Sequence, residues 1–260
     1  MGEQSDHESH DTEFQDETSA SSSGGHTAVD GLSVASDEFR LVPSEIRFES
    51  GVPTAWSFQV VTHEGDTVTE FEDSHGELLH LIVVRRDLAH FQHLHPDIDS
   101  DGTCRVEDFT LPEPGVYRAF VDIAIAGRSM TLGFDLFVPG STTFESDPEI
   151  ARQTTAEEYT VELRTDDIGA NEETQVSFEI RRDGDSVSDL RDYLGARGHL
   201  VALREGDLAY LHIHPKNTTP QPGRVEFGTT FPTPGRYRLY LQIKPDGNLI
   251  TTQFDVRIED

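Results

Sequence analysis

Lysine is almost missing from this 260-residue chain, with Lys216 and Lys244 the only two. Acidic residues outnumber basic ones 49 to 20, a formal net charge of −29, so repulsion argues against a nucleic-acid partner. One cysteine, Cys104, excludes an intramolecular disulfide and every Cys-based zinc motif. No apolar run approaches the length of a transmembrane helix, and the first ten residues lack the basic and apolar segments of a signal peptide. There is no Gly-rich phosphate loop, no Gly-x-Ser-x-Gly and no His-Glu-x-x-His. No nucleophile is paired with a base, and the expectation is a protein that is not an enzyme. Helical periodicity is missing too.

What the chain does contain is a repeat. LHLIVVRRDLAHFQHLHP (79–96) returns as GHLVALREGDLAYLHIHP (198–215), so His80, His93, His95 and Pro96 fall on His199, His212, His214 and Pro215 at a constant offset of 119. Each copy is an apolar run, a charged turn and a second run with His-x-His, the pattern of a β-hairpin. With the turn near Asp87, His80 lies opposite His95, and His93 is two residues along on the same face. Opposed Cβ atoms are about 4.5–5.5 Å apart, so three imidazoles can converge on one point in each copy.

The rest of the chain duplicates at an offset of 119 or 120. Pro114-Gly115-Val116-Tyr117-Arg118 matches Pro234-Gly235-Arg236-Tyr237-Arg238, and Phe134-Asp135-Leu136 matches Phe254-Asp255-Val256. Seven or eight short strands per copy, separated by turn signals, predict an all-β protein of two tandem Ig-like (cupredoxin-like or fibronectin-like) β-sandwiches. The expected division is a disordered acidic Ser/His-rich tail over 1–31, a first sandwich over 32–140, a linker over 141–157 with room for one helical turn, and a second sandwich over 158–260. Thr67–Phe71 reads as a short strand. The Tyr of each PG-x-YR segment suits a tyrosine corner, with its hydroxyl bonded to backbone.

A lone His on an apolar strand is more often a packing residue than a ligand. Here the neighbours drift between copies (Ile82/Val201, Val84/Leu203, Phe91/Tyr210) while the histidines do not. That contrast marks His80, His93, His95, His199, His212 and His214 as metal ligands. A buried His hydrogen-bond cluster and a pH-sensing cluster are the alternatives. Neutral imidazoles suit copper, zinc and nickel; copper is the expected ion and zinc its alternative. Met130 and Cys104 are candidate extra ligands with an ordinary core role as the simpler reading, and His7, His10 and His26 could hold metal loosely. Asp73/Asp192 is a carboxylate kept in both copies shortly before the hairpin.

The segments RRDLAHFQHLHP (85–96), YLGARGHLVALREGDLAYLHIHP (193–215), PGVYRAF and PGRYRLYLQIKPDG resemble an uncharacterised, duplicated family of prokaryotic exported β-sandwich proteins associated with heavy metals, copper especially. The resemblance implies an extracytoplasmic or cell-surface protein that buffers, senses or hands over metal, with a metal transporter or another surface protein as partner. The acidic, arginine-over-lysine composition is similar to that of proteins from salt-loving microbes. The rival reading is a non-metal Ig-like interaction module whose histidines are structural.

Overall fold

Alternation with period two runs through both repeats, and every regular element among the described residues is a strand. The computed structural model describes residues 31–74, 76–144, 150–213, 215–216 and 221–260, and only the backbone of His212. The expected tail therefore lies outside the described residues, apart from Gly31.

In the first repeat the strands are β1 (Phe39–Pro43), β2 (Thr54–Thr62), β3 (Leu79–Arg85), β4 (Gln92–Leu94), β5 (Asp97–Ile98), β6 (Thr103–Phe109), β7 (Gly115–Ile125) and β8 (Arg128–Val138). They form two antiparallel sheets, β1-β2-β6-β5 and β4-β3-β7-β8. The second repeat adds β9 (Gln153–Ala156), β10 (Tyr159–Arg164), β11 (Ile168–Gly169), β12 (Glu173–Arg182), β13 (Asp185–Ser186), β14 (Leu190–Arg191), β15 (His199–Arg204), β16 (Tyr210–Ile213), β17 (Arg224–Thr230), β18 (Gly235–Pro245) and β19 (Ile250–Glu259). Its sheets are β13-β12-β10-β9, with β17 on β12, and β11-β19-β18-β15-β16, with β14 on β18. Every strand pairs within its own repeat, so these are two tandem Ig-like β-sandwiches.

Two expectations change. Thr67–Phe71 forms no strand: Thr67 makes a single bridge to Val61. β1 takes one side of β2 to its end and β6 stops at Gln59 on the other, so only the last residues of that edge are open to it. Within the stretch read as linker, Gln153–Ala156 is a strand paired with β10. Its two threonines suit a pleated edge, and no helical turn occurs among the described residues there.

Each sandwich encloses its own core. Trp56, Phe58, Leu81, Val83, Tyr117 and Val121 pack in the first, and Val176, Phe178, Leu200, Ala202, Tyr237 and Leu241 in the second. The tyrosine corner is present in both: Tyr117 donates to the Glu113 carbonyl (2.8 Å) and Tyr237 to that of Thr233 (3.1 Å).

A third apolar cluster lies between the sandwiches, built from Ile82, Val84, Leu88 and Phe120 of one repeat and Val201, Leu203, Leu208, Tyr210 and Tyr240 of the other. It explains why all seven residues of β3 are buried. Leu79, Leu81 and Val83 face the core, whereas His80, Ile82 and Val84 face the other domain; strands covered on both sides read as continuous apolar runs. Phe91 stacks on Tyr240 (centroids 4.1 Å apart) and Phe120 on Tyr210 (5.1 Å), two contacts related by a pseudo-twofold axis. Each buried large apolar side chain contributes about 1.5–3 kcal/mol, so this seam is of the apolar kind that fixes domains relative to one another.

The chain enters the first domain beside the seam. Arg118 donates to the carbonyls of Gly31 and Leu32 (both 2.6 Å) while pairing with Asp135. Gly31 has φ +75, and a Cβ there would lie 2.4 Å from the Phe120 ring, so only glycine fits.

Candidate metal centre

The hairpin that carries the histidines is set by its turn. Arg85 grips the Asp87 carboxylate with two bonds of 2.8 Å, and Asp87 also accepts from the amide of Ala89. In the second repeat Arg204 forks onto Asp207 in the same way, with 3.0 Å at Nε. Leu88 (φ 67) and Leu208 (φ 60) sit left-handed at the same point. The second turn has gained Gly206 and lacks a counterpart of His90, so eight residues separate Arg from the first His of His-x-His in both copies. The two length changes cancel and preserve the register.

That register pairs Ile82 with His93 and Leu81 with Leu94, which carries His95 on to a place opposite His80. One ring nitrogen from each of His80, His93 and His95 lies within 4.8 Å of the others. His80 Nδ1 is 3.0 Å from His93 Nε2, and His95 Nε2 is 3.2 Å from that same atom. Tetrahedral coordination at about 2.0–2.1 Å places ligand nitrogens about 3.3 Å apart, close to these separations.

Protons can be assigned from the far side of each ring. His80 Nε2 lies 2.8 Å from the Ser74 carbonyl, which only accepts, so Nε2 carries the proton and Nδ1 the lone pair. His93 Nδ1 lies 2.5 Å from Oε1 of Gln242, whose amide nitrogen is turned to Thr251 Oγ1. His93 Nε2 therefore also presents a lone pair, and two lone pairs face each other at 3.0 Å. Burial, the largest cause, holds the His93 pKa well below its usual value against the Gln242 bond. Burial, then the nearby His80, brings His95 down to about 4. At neutral pH a proton is a poor bridge between these rings, and a metal cation suits the donor set.

The second repeat reaches the same place. His199 Nε2 lies 3.0 Å from the Tyr193 carbonyl, and Tyr193 is the counterpart of Ser74. Its ring centroid is 6.3 Å from that of His80 and 6.1 Å from that of His93. Whether the two clusters stand apart or meet was open in the sequence; His199, the described side chain of the second, approaches the first across the seam. His212 pairs with Val201 as His93 does with Ile82, but its side chain and the whole of His214 lie outside the described residues, as do His7, His10 and His26.

The extra candidates go elsewhere. Met130 pairs with Ile123 and packs on the first core, on the face away from His80. Cys104 is fully buried among the apolar side chains of the same core, and burial raises its thiol to about 12. Asp73 accepts from the Gly76 amide (3.2 Å) and so shapes the turn that presents the Ser74 carbonyl. Gln242, Ser74 and Tyr193 went unnoticed in the sequence. The repeat held a signal for the last two, because the residue six before each leading His is the one whose carbonyl holds it.

The fold and its histidine-bearing seam define a tandem Ig-like protein with a candidate metal centre. The chain belongs to the family described as a domain of unknown function, DUF8832, which matches twice, over residues 29–140 and 153–260. No curated protein matches. Among solved structures it is similar to the Escherichia coli adhesin FdeC (12% identity, TM-score 0.29, covering 87% of this chain and 65% of that one). It is also similar to invasin, a bacterial integrin-binding protein (13%, 0.27, covering 85% and 39%), and to domains 4 and 5 of the S-layer protein SbsC (8%, 0.24, covering 86% and 98%). The chain thus spans less than two thirds of FdeC and of invasin, and these likenesses concern the fold alone.

Proposed function

We propose that this protein is a non-catalytic, extracytoplasmic Ig-like binding module whose histidine centre takes a transition-metal ion, copper or zinc. The module part of the reading has the broader support: the sandwiches, the tyrosine corners and the apolar seam stand without any ion. The metal part is carried by one observation, the 3.0 Å approach of His80 Nδ1 and His93 Nε2 with both protons directed to carbonyl oxygens on the far sides of the rings. An ion between them turns an opposition of lone pairs into two coordinate bonds, with the carbonyls fixing tautomer and ring orientation.

A buried histidine cluster with no ion is the second reading, favoured by the seam cluster that already docks the domains. Elemental analysis of untagged protein, loaded with copper or zinc and gel-filtered, separates the two. About one equivalent per chain is expected; less than about a tenth of an equivalent sinks the metal reading and leaves the interaction module. Only neutral imidazole binds an ion, so binding weakens as acid protonates the ligands, for His95 as pH falls toward about 4.

A further inference from the structure

We infer that the two repeats share one metal centre, in which His199 supplies a ligand beside His80, His93 and His95, so that a bound ion clamps one domain to the other. The inference rests on the metal reading above and adds to it the number of sites and what occupancy does to the molecule.

Three observations converge. The rings of His80, His93 and His95 lie 4.7–5.2 Å apart, and His199 stands only roughly 1 Å farther out, at 6.1 and 6.3 Å from two of them. Its proton is directed away, to Tyr193, as that of His80 is to Ser74, which turns Nδ1 of each ring toward the lone-pair side. The triad is also oriented from across the seam: the acceptor for His93 is Gln242 of the second domain, and the Tyr193 ring lies 6.5 Å from that of His95. A site belonging to one domain would have its supporting groups in that domain. Here they come from both.

Linkage then fixes the behaviour. An ion that binds only the docked arrangement stabilises docking, and docking raises the affinity for the ion by the same factor. Anything that opens the seam should weaken metal binding even with every imidazole intact. Leu203, fully buried in the seam cluster and four residues along β15 from His199, is the place to test this.

The experiment titrates full-length untagged protein with Zn²⁺ and with Cu²⁺ against a chromophoric chelator. Wild type should take one tight equivalent. His80→Ala and His93→Ala should abolish tight binding. His199→Ala, His199→Gln and the seam-opening Leu203→Arg should each lose at least tenfold in affinity, while His63→Ala on the exposed surface changes nothing. X-ray absorption on loaded wild type should count four imidazoles, an answer that does not depend on any variant folding. Two independent tight equivalents, three imidazoles per ion, or wild-type affinity in His199→Gln and Leu203→Arg would overturn the shared centre and leave the metal reading standing. No tight binding by wild type would overturn both.

Discussion

Opposite His80, on β7, stands Asp122; opposite His199, on β18, stands Gln242. The two repeats bring the same hairpin to the seam and line it differently. Phe91 and Phe120 come from the first, Tyr210 and Tyr240 from the second, so each stack pairs one Phe with one Tyr. Tyr240 donates its hydroxyl to the Leu88 carbonyl, which the left-handed turn thrusts into the other domain. Tyr210 instead points its hydroxyl toward Asp122. A symmetric dimer cannot diverge in this way, because each change appears on both sides of its axis. A duplicated chain can tune each half separately, and here the histidine register stayed fixed while the groups around it diverged.

The largest difference between the halves should appear in their cores. Trp56 fills the first sandwich where the second has Val176. Trp56→Ala should destabilise the whole chain by about 3–5 kcal/mol and Val176→Ala by about 2 kcal/mol, read from denaturant midpoints followed by circular dichroism. Equal losses would mean that the first core relaxes around the cavity.

Next is the group behind His93. Gln242→Leu removes the acceptor for its Nδ1 proton and should weaken zinc or copper binding about 10–100-fold. Gln242→Glu, which gives the second repeat a carboxylate like that of Asp122, should keep or strengthen it. A chelator competition that ranks Leu equal to Glu would refute the orienting role.

Acid should then distinguish the first repeat's imidazoles in metal-free protein. Unfolded histidines titrate near 6.5, whereas His95 is held down to about 4 and His93 is also lowered. Between those pH values the unfolded chain binds more protons than the folded one. Stability is therefore complete above about 6.5 and is lost as pH falls toward about 4. His95→Gln should flatten that slope in pH-dependent melting curves; an unchanged slope would show that its depression does not control acid stability.

The smallest effects belong to the corners. Tyr117→Phe and Tyr237→Phe should each cost about 1 kcal/mol in thermal unfolding. Each hydroxyl has a second partner, the Glu113 amide for Tyr117 (3.3 Å) and the Thr233 hydroxyl for Tyr237 (2.9 Å), so the two losses should be similar.

Much of this was legible in the sequence, for identifiable reasons. Period-two alternation, the PG-x-YR corners and the constant offset of the histidines are local patterns, and strands, hairpin register and duplication follow from them. The convergence of His80, His93 and His95 followed from counting along a hairpin. The seam did not, although β3 and β15 announced it by being apolar on both faces: an apolar outer face says that something covers it, not what. Gln242 was hidden for the same reason. It lies 149 residues from His93 and meets it only because two sandwiches dock face to face. Gln153–Ala156 was missed because four polar and small residues carry no alternation of their own, and only the edge of β10 makes them a strand.

The anchoring of Gly31 has a mechanical consequence. Two Ig-like domains in tandem suggest a rod pulled from its ends, yet tension arriving from the residues before Gly31 meets Arg118 and the Phe120–Tyr210 stack first, at the joint between the domains. At the other terminus β19 lies directly on β18, the strand that bears Tyr240 and Gln242. A pull between Gly31 and β19 therefore reaches the joint through the sheets β4-β3-β7-β8 and β11-β19-β18-β15-β16 that flank it. In such a molecule the joint, and whatever it holds, sets the load at which the domains part.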